Sequence, residues 1–265
     1  MSPFPIDHDL HCHSFLSSCS SDPAHTPAAI LAYAKAHGYT CQCITDHLWD
    51  SAVPGASGWY APQDIEHARR NLPLPQDDSV RMVFGCETEF CGGTKLGLSP
   101  ANYDAFDFIV IPPNHFHMRG FVRPDGVDTV EKIADLLVTR LEEIAALPLP
   151  WHKVGIAHII CRLVFDEGCQ DDVYAAVDER RYRAAIRFFA EHGAGIEINC
   201  ASFRDNWHGR AADRLRLLRL AKEEGCRFYL ASDAHHIHNL GSVHEVGPEI
   251  VNLLGLDGSD LFRIP

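Results

Sequence analysis

The chain has 265 residues, 46% of them hydrophobic, and a formal charge of −13 from 36 acidic and 23 basic residues. This apolar content supports a sizeable core and argues against disorder, and the length suits one α/β barrel. The acidic balance disfavours a stable nucleic-acid partner, which needs cations against phosphates, and no apolar run approaches the roughly 20 residues that span a bilayer.

Ten cysteines are scattered without a Cys-x-x-Cys pair; only Cys41 and Cys43 lie close together. Zinc-finger spacing is therefore absent, and buried, reduced thiols in a cytoplasmic protein are expected. The N-terminus has no basic stretch followed by an apolar one, so no signal peptide is expected.

The first strand candidate is Phe4–Leu10, which leads into Asp9-Leu10-His11-Cys12-His13. His11 and His13 are two residues apart, so on a strand they share one face. Thr26 followed by Pro27 predicts a helix over Pro27–His37, with a capping hydroxyl, then proline in the first turn, and Gly38 at the stop. A second strand, Thr40–Thr45, ends at Asp46-His47. Ser51–Pro62 reads as a loop and Gln63–Asn71 as a helix. The third strand, Arg81–Glu87, runs into Thr88-Glu89, and a loop follows over Phe90–Asp104. The fourth strand, Phe108–Pro112, precedes Asn114-His115 and a loop over Phe116–Asp128. A helix over Thr129–Leu147 leads to the fifth strand, Val154–His158. The helix Val173–His192 stops at Gly193. The sixth strand, Gly195–Asn199, contains Glu197. The helix Ala211–Glu224 stops at Gly225, and the seventh strand, Arg227–Ser232, delivers Asp233 and His235.

Seven apolar strands alternating with helices predict a parallel sheet. Closed on itself, that sheet is a barrel one unit short of the (β/α)8 type; an open doubly wound sheet is the alternative. No linker, repeat or low-complexity stretch divides the chain, so residues 1–265 are expected to form one domain.

Polar side chains fall at the end of every strand candidate. Buried imidazoles and carboxylates cost free energy unless they are paired or bind metal, and a shared polynuclear metal site accounts for all of them together. Imidazole with carboxylate suits zinc, manganese or iron. One ion would leave several groups unsatisfied, so two or three are expected, with a carboxylate such as Glu87 bridging. Loops that follow barrel strands build the active site.

Asp9-Leu10-His11-Cys12-His13, Ile44-Thr45-Asp46-His47, Gly85-Cys86-Glu87, the His115 region, His158 and Ser232-Asp233-Ala234-His235 together resemble the polymerase-and-histidinol-phosphatase (PHP) superfamily. The match is in order and covers nearly the whole chain. The resemblance implies a distorted (β/α)7 TIM-like barrel, three divalent ions at the C-terminal ends of the strands, and phosphoester hydrolysis. It implies that His11, His13, Glu87 and Asp233 hold the first ion. Glu87 then bridges to a second ion on His115 and His158. His47 and His235 hold the third, with one more ligand from the loop after His13. That ligand is usually His or Asp about six residues after the second histidine, where this chain has Cys19. Counting back from the helix that starts at Pro27 places it on Asp22 instead, with 17–21 as an insertion. Asp22 is the expected ligand; His25 and Cys19 follow it.

Glu87 is preferred to Glu89 as ligand, and His115 to His117, which could face the substrate. Asp46 and Asp9 are expected to orient neighbours, and Glu197 and Asn199 to act from a second layer or on substrate. Arg162 and Arg204 resemble the phosphate-contacting arginines of histidinol-phosphatase-like members, and a guanidinium fork fits phosphate oxygens. The expectation is a phosphatase for a small anionic monoester, similar to histidinol phosphate. A metal-bridging hydroxide attacks phosphorus, and Asp233 or His235 handles protons near the leaving oxygen. A phosphodiesterase or exonuclease acting on nucleotides at the same site is the alternative, followed by a non-catalytic metal-bound accessory domain.

Overall fold

The computed structural model describes residues 2–166, 168–204 and 206–265. Its strands are β1 (His8–Asp9), β2 (Cys41–Ile44), β3 (His47–Leu48), β4 (Arg81–Thr88), β5 (Phe108–Ile111), β6 (Val154–Ile156), β7 (Gly195–Asn199) and β8 (Arg227–Ala231). All pair in parallel, in the order β1-β2-β4-β5-β6-β7-β8, and β3 also pairs with β4. Only Thr45 and Asp46 separate β2 from β3, so the two form one strand position with a break. Seven positions result. The ring closes where β1 meets β8: Leu10 N donates to Leu230 O at 3.0 Å, Asp233 N to His11 O at 2.8 Å, and His13 N to Ala234 O at 3.0 Å. The fold is thus a distorted (β/α)7 barrel rather than an open doubly wound sheet.

β1 is shorter than the expected Phe4–Leu10. Pro3 and Pro5 lack the N–H that a ladder needs, and past Asp9 the chain bonds irregularly to the segment after β8. Asp9 pins this seam, accepting from Ser232 N at 2.9 Å and His11 N at 3.3 Å.

The helices are α1 (Pro27–Ala36), α2 (Ile65–Ala68), α3 (Val130–Ala145), α4 (Gln170–Ala176), α5 (Glu179–His192), α6 (Ala211–Arg214), α7 (Arg216–Glu223) and α8 (Ser242–Leu254). Thr26 Oγ1 caps α1 by accepting from Ala29 N. The expected helix Val173–His192 is divided, because Asp178 turns out of the helix and caps α5 by accepting from Arg181 N at 2.9 Å. Ala211–Glu224 is divided at Leu215, and the Gln63–Asn71 region holds only α2 and a 3-10 turn. Gly247 and Pro248 lie inside α8 and mask its helical signal in the sequence.

Alternation along the strands sorts two cores. Leu10, Cys43, Val83, Phe108, Val110, Tyr229 and Ala231, with Phe262 from the C-terminal tail, fill the barrel interior. Ile44, Phe84, Ile109, Ile111, Ile196 and Leu230 belong to the outer layer that packs with the helices. Gly155 makes room for Tyr229: a Cβ there would lie 2.4 Å from the Tyr229 hydroxyl. The same parity that points Val83 inward points Glu87 inward, two turns of the pleat further on. The apolar plug therefore becomes the floor of a polar layer at the strand C-termini. Among the described residues no helix is long and apolar enough to cross a membrane.

Candidate metal centre

β3 carries His47 and β4 carries Glu87, while His11 and His13 follow β1, His115 follows β5, His158 follows β6, and Asp233 and His235 follow β8. Barrel closure brings these ends together. Among the described residues, three groups have ligand atoms close enough to share an ion: His11, His13 and Asp233; Glu87, His115 and His158; and His13, His47 and His235.

In the first group, His11 Nε2 lies 3.1 Å from His13 Nε2, 3.5 Å from Glu87 Oε2 and 3.7 Å from Asp233 Oδ1. His13 Nε2 lies 3.4 Å from Glu87 Oε2 and 3.2 Å from Asp233 Oδ1. A tetrahedral site with bonds near 2.1 Å has edges of about 3.4 Å, so these separations fit an enclosed ion. The outer nitrogens are committed elsewhere. His11 Nδ1 donates to Glu197 Oε2 at 2.8 Å. Ser17 Oγ donates to Asp46 at 2.7 Å, which leaves it to accept from His13 Nδ1 at 3.0 Å. The hydrogen-bond network thus assigns both histidines the tautomer whose Nε2 lone pair faces inward.

The second group repeats this logic around the other oxygen of Glu87. Glu87 Oε1 lies 3.1 Å from His158 Nε2 and 3.7 Å from His115 Nε2. Asn114 Nδ2 donates to the carbonyls of His158 and Ile159, so its Oδ1 accepts from His158 Nδ1 at 3.0 Å. Glu89 Oε2 accepts from His115 Nδ1 at 2.6 Å and from the Tyr60 hydroxyl at 2.8 Å. Glu87 therefore faces both groups, Oε2 toward the first and Oε1 toward the second.

Near the third group, His47 Nδ1 and Glu87 Oε2 are 2.8 Å apart, yet both are buried atoms without a hydrogen-bond partner. Orphaned atoms of this kind at the focus of a donor set fit a cation. His235 Nδ1 donates to the Asp233 carbonyl at 2.9 Å, which leaves Nε2 as its free donor, and its ring stacks on His13 at 4.0 Å.

The electrostatics follow. Burial raises Glu87, but His47 and His11 outweigh it and hold the carboxyl well below the usual range. Burial likewise raises Asp233, and the charge of His11 with the contact to His13 reverses the shift. Burial lowers His11, but Glu197, Glu87 and Asp233 lift it well above normal. Burial lowers His47 too, and Glu87 lifts it to about 10. Burial and the neighbouring His235 and His47 keep His13 well below normal. Carboxylates thus attract protons to His11 and His47, and a divalent cation would satisfy the same field by displacing those protons.

Two backbones are unusual at this end. His158 has φ +21° and Asp233 has φ +50°, in the region that non-glycine residues rarely adopt. Both are ligand candidates, as expected where an arrangement of side chains over-determines the backbone.

Glu197, Glu89, Asn114 and Ser17 orient the four imidazoles that hold the first two groups. Glu197 and Asn199 were anticipated in a second layer; Asn199 Nδ2 donates to Glu197 Oε1 and Asp233 Oδ2. Asp46 accepts from Ser14, Ser17 and Asn71 and so fixes the loop after His13. The roles of Ser17 and Asn114 carry no sequence signal beyond their position next to ligand motifs.

The expectation for Asp22 is corrected. Its carboxylate accepts from Ala24 N at 2.9 Å and Ile237 N at 3.1 Å, and it joins none of the ligand groups. The turns Ser17 N to Ser14 O and Ser20 N to Ser17 O carry Cys19 to the cavity instead. Burial raises the Cys19 thiol, but hydrogen bonds and charge from His235 and His47 bring it down to about 7. His25 is buried, and its Nε2 donates to Ala234 O at 3.2 Å.

A cavity of about 580 Å³ opens over the centre. Glu87, Asp233, His47, His115 and His235 form its polar floor, and Trp59, Tyr60, Met118, Phe121 and Leu163 form its walls. His117 also lines it; burial and His115 lower this imidazole to about 4, so it is neutral at pH 7. Arg162 and Arg204 do not line it. Arg162 is exposed, and the 3-10 turn Arg162–Val164 turns Leu163 to the cavity. Arg204 donates to Asn239 Oδ1 at 2.8 Å and pairs with Glu245 at 3.5 Å.

Fold and donor set together define a seven-position β/α barrel with histidine-carboxylate clusters of the kind that could hold metal. No family model matches the chain. It is 22% identical over 257 residues to a "Probable phosphatase" of Vibrio campbellii, covering 95% of this chain and 86% of that protein. It is similar to the crystal structure of histidinol phosphate phosphatase from Lactococcus lactis, which holds zinc, L-histidinol and phosphate. The TM-score is 0.62 at 16% identity, over 97% of this chain and 98% of that one. A structure assigned as histidinol phosphatase from Listeria monocytogenes gives a TM-score of 0.58 at 12% identity, over 88% and 97%. The chain shares the barrel fold of these two structures, the fold that the resemblance to the PHP superfamily implies.

Proposed function

We propose that this protein is a metal-dependent phosphomonoesterase of the histidinol-phosphatase kind. The observation that carries the reading is the convergence of His11, His13, Glu87 and Asp233, with His115 and His158 around the other Glu87 oxygen, at the floor of an open cavity. His11, His13, Glu87 and Asp233 would hold one ion, Glu87, His115 and His158 a second, and His47 with His235 a third. Zinc suits these donors; manganese and iron are compatible with them. The similarity to a probable phosphatase and to a zinc-containing histidinol phosphatase supports the same reading.

When bound, divalent ions supply Lewis acidity here, neutralising phosphate charge and lowering the pKa of water. The protein's own part is positioning. Glu197, Glu89, Asn114 and Ser17 lock the imidazole tautomers before substrate arrives. Asn199 fixes Asp233 Oδ2, leaving Oδ1 toward the centre. His235, with Nδ1 committed to a carbonyl, presents Nε2 at the cavity. Asp233 or His235 then manages the proton at the leaving oxygen. The walls from Trp59 to Leu163 hold the alcohol portion and exclude water. Neutral His117 offers a hydrogen bond without adding charge.

We read residues 1–265 as a single barrel domain acting on a small phosphorylated substrate. Ten free cysteines suit a reducing, cytoplasmic setting. Phosphate release from p-nitrophenyl phosphate and histidinol phosphate, compared with hydrolysis of bis-p-nitrophenyl phosphate, tests the assignment. Preference for the diester would favour the phosphodiesterase alternative.

A further inference from the structure

We infer that the substrate taken by this cavity is the phosphate monoester of an uncharged, aromatic alcohol, and that an amino alcohol of the histidinol kind is discriminated against. Trp59, Tyr60 and Leu163 set the preference. This rests on the phosphomonoesterase reading and names the substrate class within it.

The walls are built from aromatic rings held in fixed positions. Trp59 and Tyr60 meet edge to face, with centroids 4.7 Å apart and planes at 90°. Trp59 also stands 5.1 Å from the ring of His47, so the wall begins directly beside the polar floor. Phe121 continues it, 6.0 Å from Tyr60. The Tyr60 hydroxyl is committed to Glu89 Oε2 at 2.8 Å, and Glu89 does not line the cavity. Tyr60 therefore contributes ring surface. Trp59 and Leu163 are 40% and 45% exposed and both line this one cavity. Apolar surface gathered around a cavity, rather than scattered singly, marks a binding surface. A flat apolar group would cover it and gain ring-to-ring contact. The volume of about 580 Å³ is ample for such an alcohol.

An ammonium group has no partner here. Among the described lining residues the carboxylates are Glu87 and Asp233. Glu87 is enclosed by His11, His13, His115 and His158 at 3.1 to 3.7 Å. Asp233 Oδ1 lies 3.2 Å from His13 Nε2, and Oδ2 accepts from Asn199 Nδ2 at 3.1 Å. The remaining polar lining groups, Cys19, Ser57 and His117, include no carboxylate. Asp166, just beyond the Leu163 turn, pairs with Arg119 at 3.4 Å and does not line the cavity. Ring faces attract cations, but that pull is smaller than the cost of removing an unpaired ammonium from water. Phe121 moreover already has Lys95 Nζ 5.3 Å from its centroid.

Two monoesters that differ only in the amine test this on the zinc-loaded, full-length protein: 3-phenylpropyl phosphate and 2-amino-3-phenylpropyl phosphate. The amine makes the second alcohol the better leaving group, so chemistry alone would favour it. The amine-free ester is nevertheless expected to have the higher kcat/KM, by about tenfold or more, with the difference in KM. W59A is expected to lower kcat/KM for the amine-free ester about 3- to 10-fold. L163E, which adds a carboxylate at a half-exposed wall position, is expected to narrow the ratio between the two esters. Equal or higher kcat/KM for the amino ester, or for histidinol phosphate, overturns the proposal and leaves the phosphatase reading standing. The corresponding non-hydrolysable phosphonates, titrated by calorimetry, give the preference without turnover. Tighter binding of the amine-free phosphonate with no hydrolysis of any monoester supports the inferred ligand class and overturns the phosphatase reading alone. Equal or tighter binding of the amino phosphonate overturns the proposal.

Discussion

Glu89 Oε2 accepts a 2.6 Å hydrogen bond from His115 Nδ1, and this bond decides which nitrogen of His115 faces Glu87. Glu197 does the same for His11, and Ser17 and Asn114 do so for His13 and His158. Each buried imidazole in the first two groups is thus held in one tautomer by a partner outside the centre.

Removing these partners should weaken metal binding without removing a ligand. Glu197→Ala and Glu89→Ala are expected to lower zinc affinity about 10- to 100-fold. Glu197→Ala should act on the first position and Glu89→Ala on the second. Chelator competition measures both, and an unchanged affinity in either variant would contradict the assigned role.

Loss of a ligand should be more severe. His13→Ala is expected to remove about one zinc ion per chain and to lower kcat/KM for p-nitrophenyl phosphate by about 100-fold or more. Metal analysis and steady-state kinetics on the same preparation check the two effects together.

Metal loading should release protons. In the metal-free protein Glu87 lifts His47 to about 10, so this imidazole is charged at pH 7. The raised value means that the pair stabilises the metal-free fold fully below about 6.5, the ordinary imidazole value, and that this contribution is lost as pH rises through about 10. Zinc needs the neutral imidazole, so binding at pH 7 must expel the proton. Calorimetric titration in two buffers of different ionisation enthalpy should show net release of at least one proton. Identical heats in both buffers would count against His47 as a ligand.

Substrate contacts should lie on the cavity walls rather than at the expected arginines. Trp59→Ala is expected to raise KM for an aryl phosphate about 3- to 10-fold, the order set by losing about 1 kcal/mol of apolar contact. Arg162→Ala and Arg204→Ala should leave KM within about twofold, as for other exposed charges. A tenfold rise in either arginine variant would place that guanidinium on the phosphate.

The strand ends were readable because a parallel barrel makes each strand a continuous apolar run that stops at a polar residue, and His11, His13, Glu87, His115, His158, Asp233 and His235 all follow that rule. Their convergence needed only closure of the ring. The loop after His13 obeys no such periodicity. Its path is set by Asp46 bonding to Ser14 and Ser17, contacts 29 and 32 residues away in sequence, which is why Cys19 rather than Asp22 reaches the cavity. Glu89 could not be told from a surface residue, since its burial depends on Tyr60 and His115 arriving from other loops. The loop after β6 is similar: a 3-10 turn, invisible in the sequence pattern, brings Leu163 rather than Arg162 to the cavity wall.

Phosphate release by stripped and zinc-reloaded protein tests the central claim most directly. With p-nitrophenyl phosphate and histidinol phosphate as substrates, release should be absent after chelation and return on addition of zinc, with His13→Ala inactive under both conditions. Undiminished release after complete removal of metal, or no release from protein shown to carry its full complement of ions, would contradict it.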